Sequence, residues 1–257
     1  MEHNTPFSNL TNWLFTAFNS AGFQTQEYMD KHGAESFQWI KTTMMDGQFT
    51  HLAFYLKSQC FGIWIVPVSD MGMLVQKDEL ERFVNTCMDN SIIPCLVKLK
   101  WNDFSPVDEY LFTDPFTNGP LNPITMTTDD PIQMTDWELN SFGIDASEYI
   151  LQNSGHKIVG RNTTIGMFPQ LILEENGELQ FVKVDTFIVK RIEGMDENET
   201  MGKAKKDNPD FNFEKTRYPQ LANRTIFKMR LFVLADEEDK VLRNHPHKID
   251  TLGLVKC

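Results

Sequence analysis

The chain has 257 residues, 41% hydrophobic and 12% aromatic, with a formal net charge of −12. That much apolar surface must be hidden from water, which excludes a mostly disordered chain, and the length suffices for one large core or two small ones. Residues 1–130 hold 16 acidic against 7 basic side chains and residues 131–257 hold 20 against 17, so the first half repels phosphate backbones and any nucleic-acid groove is expected in the second half only.

In chain order, Leu10, Trp13, Leu14, Ala17, Phe18 and Ala21 recur at spacings of three and four. They predict a helix capped from within Asn4 to Asn12 and ending at Gly22. Phe37-Gln-Trp-Ile-Lys-Thr alternates like a first strand, and Thr50 to Pro67 reads as a hairpin. Gln76 to Met88 carries Leu80, Phe83, Val84 and Cys87 on one helical face, with an acidic first turn that suits the helix dipole. Ile92 to Lys100 reads as a strand with Pro94 near its start. Trp101 to Thr135 holds five prolines among Thr, Asp and Asn, and residues 106–134 are expected to be a connector between halves 1–105 and 135–257.

Thr135-Asp-Trp-Glu caps a predicted helix bearing Leu139, Phe142, Ala146, Tyr149 and Ile150 and closing at Gly155, and His156 to Gly160 is a short candidate strand. Phe168 to Asp185 is a hairpin around Asn176-Gly177, a pair that supplies the positive φ angles of a tight turn, and its second strand extends through Lys190. Glu193 to Asp210 shows no periodic apolar face and is expected to be a mobile loop, Thr216 to Asn223 a short helix, and Thr225 to Ala235 a strand. Sliding the second hairpin onto the first without gaps sets Leu52 against Gln170, Ile65 against Lys183 and Pro67 against Asp185. The expected class is α/β, with two similar halves that are each a small mixed sheet flanked by helices.

The order helix, three strands around a hairpin, helix, strand resembles the core of the restriction-endonuclease-like, or PD-(D/E)XK, nuclease superfamily. Leu74 to Val84 and Ile93 to Lys100 look like the helix and strand that follow the active-site hairpin in archaeal-type Holliday junction resolvases. The resemblance implies an acidic residue on the first hairpin strand and a D/E-x-K set on the second, where carboxylates hold Mg²⁺ and the metal generates hydroxide beside the scissile phosphate. Leu52, Ile65 and Pro67 of the first half cannot do this. In the second half the positions read Gln170, Lys183 and Asp185, with Glu148 on the preceding helix as an additional carboxylate.

The preferred expectation is therefore a non-catalytic protein-binding or structural module on a degenerate nuclease-like scaffold. It would need no cofactor, and its acidic first half would face a protein partner. The alternative is a Mg²⁺-dependent nuclease acting through Glu148, Gln170, Lys183 and Asp185. Elsewhere, His245-Pro-His247 with Asp250 holds metal-capable groups, although an exposed tail turn is the reading preferred there. Lys203-Ala-Lys-Lys206 with Lys190 and Arg191 forms a basic cluster read as solvated charge. The N-terminal residues lack the basic flank and apolar core of a secretory signal, and no run approaches the roughly 18 apolar residues of a membrane span. With Cys60, Cys87, Cys95 and Cys257 scattered outside any C-x-x-C pair, buried thiols in the cytoplasm are expected, with no membrane partner.

Overall fold

The computed structural model describes residues 10–40, 50–75, 77–162, 168–208 and 224–257. The chain divides into two compact units, Met1–Pro131 and Ile132–Cys257. Each is a mixed sheet flanked by helices, so the class is α/β. Among the described residues no helix is long and apolar enough to cross a membrane.

Unit 1 opens with helix α1 (Leu10–Lys31). Trp13, Ala17, Ala21, Thr25 and Met29 recur every fourth residue and all are buried, giving the continuous stripe by which a helix packs on a sheet. The helix runs through Gly22, where an end was expected. The four-residue rhythm continues beyond that glycine, and one glycine costs a helix only about 1 kcal/mol. The proposed caps before Leu10 lie outside the described residues.

Strands β1 (Phe37–Ile40), β2 (His51–Leu56) and β3 (Gln59–Ser69) are antiparallel neighbours. A two-residue β4 (Gly72–Met73) folds back on the end of β3. Helix α2 (Lys77–Asp89) then crosses over to β5 (Ile92–Lys100), which lies parallel to β3 from Cys60 beside Ile92 to Val68 beside Lys100. A parallel neighbour requires such a long connection. Phe54, Phe61, Ile63 and Ile65 join the core against α1. On the other face Trp64 and His51 meet Phe83 of α2. Because both faces are covered, β3 and β5 read as nearly unbroken apolar runs.

Residues 106–131 are not a spacer. They belong to unit 1 and run along β5, with bridges from Leu96 to Thr113 and from Leu99 to Pro106. Phe112 is fully buried in the unit 1 core, where Leu121 joins it. The side chains that made the segment look like a linker form its turns: the Asp114 carboxylate accepts from the backbone N of Phe116 and Thr117, and Asn122 accepts from Ile124. An otherwise open edge of β5 is thereby covered, which guards against pairing with other chains. Lys98, almost fully buried, donates to Asn118 at 2.8 Å and pairs with Asp108 at 3.2 Å within the same lobe.

In unit 2, helix α3 (Asp136–Asn153) starts at a capping box in which Thr135 accepts from Glu138 N and the Glu138 carboxylate accepts from Thr135 N. Glu138 also forms a two-pronged, fully buried ion pair with Arg243, at 2.7 Å from Nε to Oε1 and 3.0 Å from Nη2 to Oε2. The backbone delivers Arg243 there through a short pairing of residues 132–134 with 241–243. The sheet follows the order β10-β9-β8-β7-β6, built from β6 (Lys157–Arg161), β7 (Leu171–Glu175), β8 (Glu178–Val189), β9 (Thr225–Leu234) and β10 (Ile249–Lys256). Only β8 and β9 are parallel, from Gln180 beside Thr225 to Val189 beside Leu234. Leu171, Val182, Val184 and Met229 pack toward α3. Gly143 lets that helix settle directly on β8, since a Cβ there would fall 1.8 Å from Thr186 Oγ1.

Helix α4 (Glu197–Asp207) occupies part of the segment expected to be a loop. It is held by an Asp196/Glu199 capping box and by Met201 and Ala204 packing on Phe232 and Leu234. Two apolar contacts suffice here because the caps satisfy the helix's first amides. A turn exposed at residues 244–246 does lie where one was expected around His245, and from Ile249 the chain pairs with β9 as β10. The short helix expected at Thr216 to Asn223 lies outside the described residues.

Both hairpins turn through two residues, Lys57-Ser58 and Asn176-Gly177, and φ is positive at Lys57, Asn176 and Gly177. Matching turn to turn sets Lys57 on Asn176, one residue beyond the gap-free superposition. A one-residue slip moves every side chain to the opposite face. Leu52, Ile65 and Pro67 therefore correspond to Leu171, Val184 and Thr186, while Lys183 and Asp185 correspond to Trp64 and Val66.

Two substitutions test this architecture. Phe112→Ala should destabilise unit 1 by about 3–5 kcal/mol in urea unfolding, as expected for a large side chain emptied from a core, whereas a free connector would tolerate it. Arg243→Met should cost unit 2 about 3–5 kcal/mol because it strands the buried Glu138 charge, and adding Glu138→Gln to it should recover part of that loss.

Candidate functional site

On β8, Lys183 and Asp185 alternate with Val182 and Val184, which point into the α3 core. They therefore project from the opposite face, the one on which Phe187 and Val189 pack with α4. Lys183 Nζ lies 2.9 Å from Asp185 Oδ1. The parallel register sets Lys228 beside Lys183 and Arg230 beside Asp185, and Lys228 Nζ stands 4.0 Å from Asp185 Oδ2. Arg230 donates to the carbonyl of Asn208, with its guanidinium 5.7 Å from the centre of the Phe187 ring. Burial lowers Lys228 to about 8, opposed by the attraction of Asp185 and reinforced by the repulsion of Lys183. Among the described residues, Lys183, Lys228 and Arg230 thus stand beside Asp185 on this face.

Gln170 is buried, and its Oε1 accepts from Val184 N at 3.2 Å while its own N donates to Val182 O at 3.1 Å. The side-chain amide is thus used as an extra rung of the β7–β8 ladder. Glu148 sits on α3, where Arg161 Nη1 lies 2.6 Å from both it and Asp145. The sheet separates Glu148 from Asp185, so the four residues expected to form a nuclease site are not brought together. Among the described residues there is no group of three or more His, Cys, Asp or Glu that could hold a metal ion.

The other sequence candidates are also dispersed. His247 Nε2 contacts the carbonyl of Leu242 at 2.7 Å and its ring meets the Phe142 ring at right angles, while Asp250 pairs with Lys205. Lys190 pairs with Asp239 and Arg191 with Glu197. Burial holds His51 neutral, lowering it to about 4, and pushes the Cys87 thiol up to about 12 and that of Cys95 well above its usual value. None of these three is poised as a nucleophile or base near neutrality.

Sequence reasoning missed a cleft of about 1010 Å³ in unit 1. It opens at the carboxyl ends of the parallel strands β3 and β5, the place where α/β sheets leave a crevice because the chains leaving neighbouring strands diverge. Trp64, Ile65 and Pro67 line it from β3, Leu14 from α1, and Trp101 from the turn after β5. Around β4, Met71, Met73 and Leu74 border the opening, with Met71 86% and Met73 57% exposed. The signal in the sequence was Met71-Gly-Met-Leu-Val-Gln76, six residues without a charge placed directly before a strongly charged helix.

Comparison with family models, with curated proteins and with solved structures gave no match.

Replacing Asp185 by Asn removes the attraction that supports protonated Lys228 and leaves burial and the repulsion of Lys183 in place. The Lys228 ammonium, followed by side-chain NMR, should then titrate below the value of about 8 expected for the unaltered chain. An unchanged or higher value would show that Asp185 is not its main electrostatic partner.

Proposed function

We propose that this chain is a non-catalytic protein-binding module built from two copies of a nuclease-like scaffold, with the unit 1 cleft as its binding surface. The duplication is supported by the order of elements. Each unit runs helix, three antiparallel strands, helix, and a strand parallel to the third, the order expected of the nuclease superfamily. In the turn-matched register, the positions that would carry ligands are Leu52, Ile65 and Pro67 in one copy and Leu171, Val184 and Thr186 in the other. Five of the six are apolar and the sixth is a threonine, which favours a scaffold without a hard-cation site.

The observation that carries the binding reading is the exposure of Met71, Met73 and Leu74 beside an open cleft. Grouped apolar side chains left in water mark interaction surfaces, and methionine adapts its shape to irregular partners. The acidic balance of residues 1–130 keeps such a surface soluble and turns it away from nucleic acid.

Two measurements on the full chain test this. The neutral apolar dye Nile red should fluoresce with the native chain, and Met73→Asp should remove most of that emission while shifting stability by no more than about 0.5 kcal/mol, as for exposed positions generally. Plasmid and branched DNA should remain intact in Mg²⁺ or Mn²⁺. Metal-dependent cutting that Asp185→Asn abolishes would overturn the proposal in favour of a nuclease acting through unit 2.

A further inference from the structure

The cleft's charged groups narrow the choice of occupant. Among the described residues, Asp70, Glu79 and Asp103 line it with one cation, Lys100. The Asp103 carboxylate accepts from Ser105 N at 2.9 Å and from the Ser105 hydroxyl at 2.6 Å, which holds it below the ordinary carboxylate range and therefore ionised. The same cleft is lined by the exposed apolar side chains of Met71, Met73 and Leu74. The acids belong to a unit in which acidic side chains outnumber basic ones 16 to 7. Such a rim repels phosphate and carboxylate groups, and so disfavours nucleic acid, acidic peptides and the headgroups of anionic lipids. It attracts Lys and Arg, whose long stems cover apolar surface while their charged ends reach the rim.

We infer that the unit 1 cleft docks a basic, amphipathic segment of another protein, with apolar side chains against Met71, Met73 and Leu74 and with Lys or Arg facing Asp70, Glu79 and Asp103. This rests on the protein-binding reading above and adds the partner's chemistry. The two exposed methionines adjust to the apolar side chains, and the carboxylates select the sign of charge and speed the encounter. Recognition by an apolar groove with a charged border is a recurring way to hold a short segment, and it needs no matching of every side chain.

The test uses the full chain and three fluorescein-labelled twelve-residue peptides: one alternating Leu and Lys, one with Glu in place of Lys, and one with Ser in place of Leu. In fluorescence anisotropy the Leu/Lys peptide should bind about tenfold or more tightly than either of the others, and raising the salt should weaken it severalfold. Met71→Asp and Met73→Asp, each checked for an unchanged urea midpoint, should each weaken that binding about tenfold. Asp70→Lys combined with Glu79→Gln makes the rim net positive and should reverse the preference toward the Leu/Glu peptide. Equal binding of the Leu/Lys and Leu/Glu peptides, equal binding of the Ser/Lys peptide, or no effect of the rim double variant would each overturn the inference. So would concentration-dependent self-association that Met73→Asp abolishes, because the occupant would then be a second copy of this chain. If Nile red binding and intact DNA persist while the peptide preference fails, only the partner's chemistry is wrong. If the dye does not bind, or DNA is cut, the protein-binding reading itself fails.

Discussion

In each unit the arrangement follows from one pair of adjacent parallel strands, β3 with β5 and β8 with β9. Parallel neighbours cannot be joined by a tight turn, so the chain must leave the sheet and return through a helix, and that helix covers one face. The opposite face is apolar and needs its own cover, which the first helix of the unit provides. In unit 1 the same pairing creates the cleft. At the carboxyl ends β3 doubles back into β4, Trp101 N still donates to Val68 O at 2.8 Å, and the turns that follow both strands line the cleft. In unit 2 it sets Lys228 and Arg230 beside Lys183 and Asp185, so the charge pattern of that face is decided by register rather than by any local motif.

Buried polar groups fix how the covering elements sit. Glu138 serves Thr135 N and Arg243 at once, so the start of α3 and the strand-like return at residues 241–243 are held at one point. A buried ion pair of this kind adds little net stability over a well-packed apolar pair, but misplacing either partner is costly. The specificity it confers is geometric. In unit 1, Trp13 has a comparable role: its indole N–H donates to Trp101 O at 2.8 Å, and its ring stacks on Trp101 with centroids 5.1 Å apart. One end of α1 is thereby tied to the turn that borders the cleft.

What could be read in the sequence was whatever has a local cause. The hairpin at Asn176-Gly177, the Thr135 cap and the amphipathic face of α2 depend on a few neighbouring residues, and their positions were legible. The elements that differed depend on contacts between residues far apart in the chain. Residues 106–131 have the prolines, aspartates and asparagines of a linker, yet Phe112 reaches a core assembled from α1 and β3. Helix α4 has too short an apolar face to show periodicity, and β10 forms only because β9 offers it an edge. The hairpin superposition erred by one residue since apolar runs on a sheet buried on both faces carry no alternation to fix their phase. The cleft was not legible as a site because its rim is gathered from four separated stretches of chain.

The electrostatics of the two units bear on what each surface can hold. A hard cation is captured where two or more carboxylates converge and their mutual repulsion is relieved by the ion. Beside Asp185 stand Lys183 at 2.9 Å and Lys228 at 4.0 Å, so the protein's own ammonium groups balance that carboxylate in part. At the unit 1 cleft the reverse holds. Among the described residues, Asp70, Glu79 and Asp103 line the cleft with one cation, Lys100, beside the exposed side chains of Met71, Met73 and Leu74. Negative charge beside exposed apolar side chains is complementary to a polypeptide segment that carries both basic and apolar side chains, because the stems of Lys and Arg cover apolar surface while their charged ends reach the acids.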